Sequence, residues 1–348
     1  MTTKSPDDRP IIALAMGDPA GVGAELTARL LTSDNVRTAA HLIVVGDRRT
    51  LDEGARVAGL LLDFDQADPE TLATGRAVKP VFVNLANLDP ADVSMGVASL
   101  AGGQFATQNF AFALKLAESG RADAVCFTPF NKIAMRYAYP GYDDEIRFIS
   151  DVIGFTGRAR EFNVLEAVWN ARVTSHMPLA EVSRSLSKEG ILSELALTFD
   201  CLRRAGVATP KIAVAGFNPH AGDGGNFGRE EIEIIGPAVE EAARRGWEVS
   251  GPYPADTVFL SAIKGGFHAV LTMYHDQGQI AMKTMGFDRG VTMLGGLPFP
   301  VCTPAHGTAY DIAGKGIANP RASQEALLLA ARMARQSAAP GGMTDGAR

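Results

Sequence analysis

Three histidines of this 348-residue sequence, His176, His220 and His275, each follow a short apolar run that predicts a buried strand. Neutral imidazole is a good ligand for Zn²⁺, Co²⁺, Ni²⁺ or Fe²⁺. Because ligands of open α/β sheets bind outside the carboxyl ends of strands, we expect the three side chains to converge on one divalent metal ion. Their separations of 44 and 55 residues form no local metal motif, so a hydrogen-bonded structural histidine is the alternative for each. His41 begins a predicted strand and His268 precedes one, and both are interpreted as structural.

The elements that must position these side chains alternate between strands and helices. Apolar, β-branched runs predict the strands, and apolar residues recurring at three and four predict the helices. This alternation implies βαβ units and a largely parallel sheet. Strands are predicted at 10–16, 41–45, 81–83, 122–127, 171–174, 211–215 and 267–273, and helices at 24–31, 49–60, 102–119, 191–205, 229–245 and 324–337, with a further helix from about Leu179.

Composition excludes several classes of protein. Hydrophobic residues make up 46% and charged residues 21% of the chain, as in ordinary globular proteins. The net charge of −6 argues against a nucleic-acid partner. The three cysteines are far apart, which indicates a reducing compartment without disulfides. There is no apolar signal region and no apolar run of the ~18–20 residues that span a bilayer, so the sequence predicts a soluble cytoplasmic protein without a membrane partner.

A second motif with possible chemistry is the glycine-rich run at 305–320, AHGTAYDIAGKGIANP. Its glycines allow close approach of the backbone to a ligand, and its Asp and Asn side chains can hold ribose hydroxyls. It is not the GxGxxG motif of a Rossmann fold, and by composition alone it could be purely structural. The run resembles the cofactor loop of the isocitrate and isopropylmalate dehydrogenases, which bind NAD(P) without a Rossmann domain. The resemblance implies these cofactor-binding residues: His306, Gly307, Thr308, Asp311, Ala313, Gly314 and Asn319.

Six further motifs resemble the 4-hydroxythreonine-4-phosphate dehydrogenase (PdxA) family of vitamin B6 synthesis, and they occur in family order. They are MGDPAGVG (16–23), SHMPL (175–179), NPHAG (218–222), GREE (228–231), GPYPADT (251–257) and YHDQG (274–278).

The family resemblance implies an α/β fold of two three-layer domains like the isocitrate and isopropylmalate dehydrogenases, with the active site in the cleft between them. We expect a cofactor-side domain of residues 1–130 and 305–348, and a metal, substrate and dimerisation domain of residues 131–304. It also implies a homodimer in which the three histidines, shared across the interface, hold one divalent metal (Zn, Co, Ni, Fe or Mg). NAD would lie along the loop from His306 to Asn319.

The family reaction oxidises a secondary alcohol β to a carboxylate and then loses CO₂. A base must take the hydroxyl proton, and Lys283 and Asp256 are the candidates. Asp276 would orient a ligand histidine from outside the metal's ligand set. The alternatives are that Lys283 binds a substrate anion and that Asp256 caps the helix that follows.

The chain departs from the family pattern at candidate substrate residues. Asp143 and Asp144 replace a His-Thr pair, Thr292 replaces an Asn, and Val301 replaces an Arg. These changes remove a guanidinium and add negative charge, which disfavours a phosphate. The sequence therefore predicts a paralogue that oxidises and decarboxylates an unphosphorylated β-hydroxy acid, such as the cis-dihydrodiol of terephthalate. The alternatives are the vitamin B6 enzyme with a diverged pocket, and a non-catalytic binding protein on the same fold.

Overall fold

The computed structural model describes residues 9–70, 72 and 78–337. Past Ala338 the sequence predicts a disordered tail, and this segment lies outside the described residues. The chain divides into two compact units, a first unit of residues 1–160 and 291–348 and a second unit of residues 161–290.

Strands and helices alternate as the sequence predicts. The strands are β1 (Ile11–Ala15), β2 (His41–Gly46), β3 (Asp65–Ala67), β4 (Val81–Asn84), β5 (Ala124–Phe127), β6 (Arg160–Val164), β7 (Trp169–Arg172), β8 (Lys211–Ala215), β9 (Glu248–Tyr253), β10 (Ala269–Thr272), β11 (Val291–Gly295) and β12 (Val301–Pro304). The helices are α1 (Gly23–Leu31), α2 (Asp34–Ala39), α3 (Arg48–Ala58), α4 (Leu100–Glu118), α5 (Lys132–Ala138), α6 (Glu145–Ile153), α7 (Leu179–Ser185), α8 (Lys188–Arg204), α9 (Gly236–Arg244), α10 (Ala255–Ser261), α11 (His275–Gly286) and α12 (Arg321–Ser337).

The first unit is built on strands in the order β3-β4-β2-β1-β5-β12-β11. Neighbours in this order are parallel except β11, which runs antiparallel to β12. The helix α4 is capped by the Ser99 side chain, which accepts from Gly102 N, and it buries Phe105 and Phe110 completely. Cys126 is buried on β5, and burial raises the pKa of its thiol.

The second unit is built on strands in the order β6-β7-β10-β8-β9. β7, β10, β8 and β9 are mutually parallel, and β6 pairs antiparallel with β7. Its core contains Val270, Ala213 and Phe259. The α/β class with largely parallel strands is therefore confirmed.

The unit boundaries differ from the predicted domains at residues 131–160 and 291–304, which lie in the first unit. The reason is packing. The ring of Phe148 on α6 stacks on Phe110 of α4 with centroids 5.6 Å apart, and β12 pairs with β5. Composition alone does not reveal either contact.

Two helices differ from those predicted from the sequence, and they lie close in sequence to His220 and His275. The helix predicted over 229–245 begins as a π turn at Glu231–Ile235, and α9 follows it. His275 is the first residue of α11, a helix that is not among those predicted from the sequence. Among the described residues, no helix is both long enough and apolar enough to cross a bilayer.

Candidate active site

The three candidate metal ligands follow three strands that are neighbours in the second unit. β10 lies between β7 and β8 and is parallel to both, so the carboxyl ends of these strands share one edge of the sheet. His176 follows β7, His220 follows β8 and His275 follows β10. The structure thus places all three where the sequence predicts, at one edge of one sheet.

Two of these histidines are adjacent. The ring centroids of His176 and His275 lie 5.6 Å apart. His176 adopts a left-handed backbone conformation with φ 39°, which is uncommon for a residue with a side chain. Asp276 Oδ1 lies 2.7 Å from His275 Nδ1. If Nδ1–H donates to this carboxylate, the lone pair of Nε2 stays available for a metal.

His220 lies in a continuous left-handed turn. The φ angles of residues 220–224 are 53°, 52°, 82°, 45° and 65°. Left-handed backbone costs about 1–2 kcal/mol for each L residue, and His220, Ala221 and Asp223 all adopt it. Such strain persists only where surrounding contacts hold it in place.

Glu231 supplies those contacts. This buried carboxylate accepts hydrogen bonds from the backbone N–H groups of Phe217 and Asn218, each at 2.7 Å, and from Asn218 Nδ2 at 2.9 Å. Its neighbour Glu230 accepts from Asn218 Nδ2 at 2.7 Å and from Ser183 Oγ on α7 at 2.6 Å. Sequence reasoning missed both glutamates as functional residues, although the GREE motif contained the signal. They connect the His220 turn with the helix that follows His176.

Gln277 was also missed. Met273 N donates to Gln277 Oε1, and Gln277 Nε2 donates to Gly216 O, both at 2.7 Å. The side chain therefore joins the ends of β10 and β8. A Cβ on Gly278 would lie 2.1 Å from Asn170 Oδ1, so glycine is required for α11 to approach β7 this closely.

The donor set suits a divalent metal, since imidazole binds several first-row ions. The described residues of one chain nevertheless contain no group of three His, Cys, Asp or Glu side chains that could hold an ion. The rings of His176 and His275 are therefore neighbours, but they are not part of a cluster of three such side chains among the described residues.

A cavity of about 750 Å³ opens in the second unit beside this edge. His220, Asp256, Asp276 and Gln277 line it. Asp256 is exposed and does not cap α10, whose first turn has no side-chain cap. Lys283 is exposed on α11, about 12 Å further along the axis than His275 at 1.5 Å per residue.

The glycine-rich loop lies entirely in the first unit and packs against α1. Val22 N donates to Thr308 O at 3.0 Å, and Ala318 N donates to Glu25 Oε1 at 3.0 Å. Gly314 has φ 75°, and it contributes to an apolar cavity of about 150 Å³ that residues of α1 and α3 also line. Of the predicted cofactor residues, Thr308 is buried, His306 and Ala313 are half-buried, and Gly307, Asp311, Gly314 and Asn319 are exposed.

The four departures from the family pattern have local structural roles. Asp144 caps α6 by accepting from Arg147 N at 2.9 Å, and Asp143 pairs with Arg147 Nη1 at 2.7 Å. Val301 is fully buried in the core of the first unit, and Thr292 is half-buried on β11. None of these contacts requires a substrate, so they do not support a re-purposed pocket.

The fold and the placement of the histidines are typical of an α/β enzyme. Comparison with known proteins shows which family of enzymes the chain resembles. Residues 38–330 match the model of the family described as pyridoxal phosphate biosynthetic protein PdxA. A protein of Rhizobium meliloti, provisionally named 4-hydroxythreonine-4-phosphate dehydrogenase 2, is 67% identical over 97% of this chain and 99% of its own length. A protein of Oceanobacillus iheyensis, provisionally named D-threonate 4-phosphate dehydrogenase, is 36% identical over 94% of this chain and 98% of its own. The crystal structure of 4-hydroxythreonine-4-phosphate dehydrogenase from Klebsiella pneumoniae superposes with a TM-score of 0.78 at 32% identity, covering 94% of this chain and 98% of that one.

The protein is an oxidoreductase that acts on CH–OH groups. It belongs to the PdxA family of pyridoxal phosphate biosynthetic proteins. The predicted dihydrodiol substrate is wrong, because a relative at 67% identity has the 4-hydroxythreonine-4-phosphate dehydrogenase name. The error came from treating Asp143, Asp144 and Val301 as pocket residues, whereas they form a helix cap, an ion pair and part of the core.

Proposed function

We propose that this protein oxidises the secondary hydroxyl of 4-hydroxythreonine 4-phosphate, using NAD and a divalent metal. The observation that supports the substrate most strongly is the 67% identity over nearly the full chain to the Rhizobium meliloti protein of that provisional name. The observation that supports the chemistry is the set of three imidazoles at one sheet edge.

The metal ligands proposed are His176, His220 and His275. Mg²⁺, which prefers oxygen ligands, suits this set less well than Zn²⁺, Co²⁺, Ni²⁺ or Fe²⁺. A bound metal would supply a Lewis acid that lowers the pKa of the substrate hydroxyl, and bound NAD would supply the hydride acceptor. Asp276 fixes the ring of His275 through the contact at Nδ1.

The base that removes the proton of the substrate hydroxyl is assigned to Lys283 or Asp256. Asp256 lines the cavity that also contains His220, which favours it as the base within one chain. Lys283 is exposed on α11, and its cationic ammonium also suits the substrate phosphate. A pH profile of Asp256→Asn and Lys283→Met distinguishes them, because loss of the base removes one limb of the profile.

The NAD site proposed is the loop from His306 to Asn319. A Cβ added to Gly307 would meet no atom within 4 Å, so the backbone here is open to a ligand. The exposed Asp311 carboxylate can accept hydrogen bonds from ribose hydroxyls. Asn319 Oδ1 accepts from Arg321 N at 3.0 Å, which leaves its amide N–H groups for a ligand.

A homodimer is proposed because the described residues of one chain do not complete the metal site and because the second unit exposes apolar side chains beside the cavity. Leu260 is 57% exposed, Ile263 is 43% exposed and Ile280 is 67% exposed, and all three line the cavity. Exposed apolar residues grouped around a cavity mark an interaction surface.

The test is the rate of NADH formation by metal-reconstituted protein. The substrates compared are 4-hydroxythreonine 4-phosphate, D-threonate 4-phosphate and 4-hydroxythreonine without phosphate, each with a chelator control. We expect 4-hydroxythreonine 4-phosphate to react with the highest kcat/KM and the chelator to abolish turnover. A preference for D-threonate 4-phosphate would overturn the assigned substrate, and turnover in the presence of chelator would overturn the metal.

A further inference from the structure

Asp18 is a buried carboxylate that the proposed reaction does not use. It follows β1 in the MGDPAGVG motif and is only 1% exposed. Its Oδ1 accepts a hydrogen bond from Ala20 N at 2.8 Å, and its Oδ2 accepts one from the Tyr310 hydroxyl at 2.6 Å. Burying a carboxylate costs free energy unless it accepts hydrogen bonds. The two donors therefore offset the cost of burying Asp18.

The Tyr310 hydroxyl connects two motifs that are 292 residues apart in sequence. Tyr310 lies within the proposed NAD loop, directly after Ala309, whose φ is 47°. A backbone hydrogen bond from Val22 N to Thr308 O also links the loop to the MGDPAGVG motif. The backbone bond fixes the start of the loop, and the Tyr310 side chain fixes the segment that follows.

The end of β1 is itself rigidly held. Gly17 N donates to Thr128 Oγ1 at 2.8 Å, and Asp18 N donates to Pro129 O at 3.0 Å. A Cβ on Gly17 would lie 2.2 Å from Thr128 O, so only glycine allows the backbone to lie this close to the residue that follows β5. The backbone at Asp18 is therefore rigidly positioned, and its side chain can hold a loop that donates a hydrogen bond to it.

We propose that Tyr310 is a positioning residue for the cofactor. Its hydrogen bond to Asp18 holds the 306–319 loop in the conformation that binds the dinucleotide. The inference rests on the proposed use of NAD by the same loop. It assigns Asp18 to the support of that loop and not to the substrate chemistry.

The test is Tyr310→Phe, which removes one oxygen atom and keeps the ring. Tyr139→Phe is the matched control, because Tyr139 also donates its hydroxyl to an aspartate, Asp151, in the same unit but outside the loop. Two quantities are measured on the full-length protein: the dissociation constant for NAD⁺, and hydrogen–deuterium exchange of peptides covering 306–319 without cofactor.

We expect Tyr310→Phe to weaken NAD⁺ binding about tenfold, because a hydrogen bond to a charged group is lost. KM for NAD⁺ should rise by the same factor with kcat little changed, and the loop should exchange faster. Tyr139→Phe should match the wild type in both measurements. A wild-type NAD⁺ affinity or wild-type loop exchange in Tyr310→Phe would overturn the inference. Failure of the wild-type protein itself to bind NAD⁺ would overturn the proposed function, and this inference with it.

Discussion

The two loops proposed to bind ligands, one in each unit, are both held by buried carboxylates, but in different ways. The His220 turn of the second unit is held by Glu231, which accepts two backbone N–H groups and an amide N–H. The Tyr310 segment of the first unit is held by Asp18, which accepts one backbone N–H and a phenol hydroxyl.

The difference corresponds to the amount of backbone strain. The His220 turn keeps three L residues in the left-handed region, whereas the glycine-rich loop has one such residue, Ala309. The strained turn is held by hydrogen bonds to the backbone directly before it, at Phe217 and Asn218, whereas the glycine-rich loop is held by the side-chain hydrogen bond of Tyr310. We therefore expect the metal site to depend more strongly on its carboxylate than the NAD site does.

The largest effect is expected from removing a metal ligand in the second unit. His275→Ala should lower kcat/KM about 10³-fold, because charge stabilisation at the reacting oxygen is lost. Metal content should fall, while NAD⁺ affinity stays within about twofold of wild type. The control is His268→Asn, since His268 Nδ1 accepts from Lys211 N at 2.9 Å and asparagine retains an acceptor. Retention of metal by His275→Ala would contradict the assignment.

An intermediate effect is expected for Glu231→Gln. Glutamine can still accept the two backbone N–H groups, but its amide would face the Asn218 amide, donor against donor. The metal dissociation constant should rise about 10–100-fold, and the free energy of unfolding should fall by about 1–3 kcal/mol. Glu233→Gln is the control, because Glu233 pairs at the surface with Arg229. Equal metal affinities in the two variants would show that the carboxylate does not support the turn.

The smallest effect is a pH dependence of stability in the first unit. Burial raises the pKa of Asp18 above 3.8, and hydrogen bonds from Tyr310 and Ala20 oppose this shift. The folded state then binds the proton more tightly than the unfolded state. The stability from Asp18 is complete below pH 3.8 and is lost as pH rises through the folded pKa.

Asp18→Asn removes this titration. The difference in free energy of unfolding, wild type minus variant, should therefore decrease as pH rises from 3.8, measured by denaturant titration. Asp92→Asn, at an exposed position, should show no such slope. A difference that increases with pH would mean that hydrogen bonding outweighs burial at Asp18.

Much of the architecture could be predicted from sequence, because buried parallel strands are continuous apolar runs. The runs at 11–15, 211–215 and 269–272 are clear examples, and His220 and His275 follow the last two of them, as predicted. Packing between distant segments could not be predicted. Phe148 on Phe110 and β12 on β5 move the unit boundary, and no local pattern indicates them.

The roles of single polar side chains were the least predictable feature. Asp144 and Asp143 suggested an altered pocket by their charge, yet one caps α6 and the other pairs with Arg147. Glu231 lies in the GREE motif and Tyr310 in the glycine-rich run, but the sequence could not predict what either side chain binds, since their partners lie 13 and 292 residues away. Such roles follow from three-dimensional contacts and not from residue type.

The most direct test of this account is activity complementation between inactive metal-site variants. His176 and His275 are adjacent within one chain, and its described residues contain no group of three side chains that could hold an ion, so the proposed homodimer would take His220 from a second copy. We predict that mixing His220→Ala with His275→Ala restores chelator-sensitive NADH formation, because hybrid dimers contain one complete site. Mixing His176→Ala with His275→Ala should restore none. Activity from the second mixture, or none from the first, would contradict a metal site shared in this way.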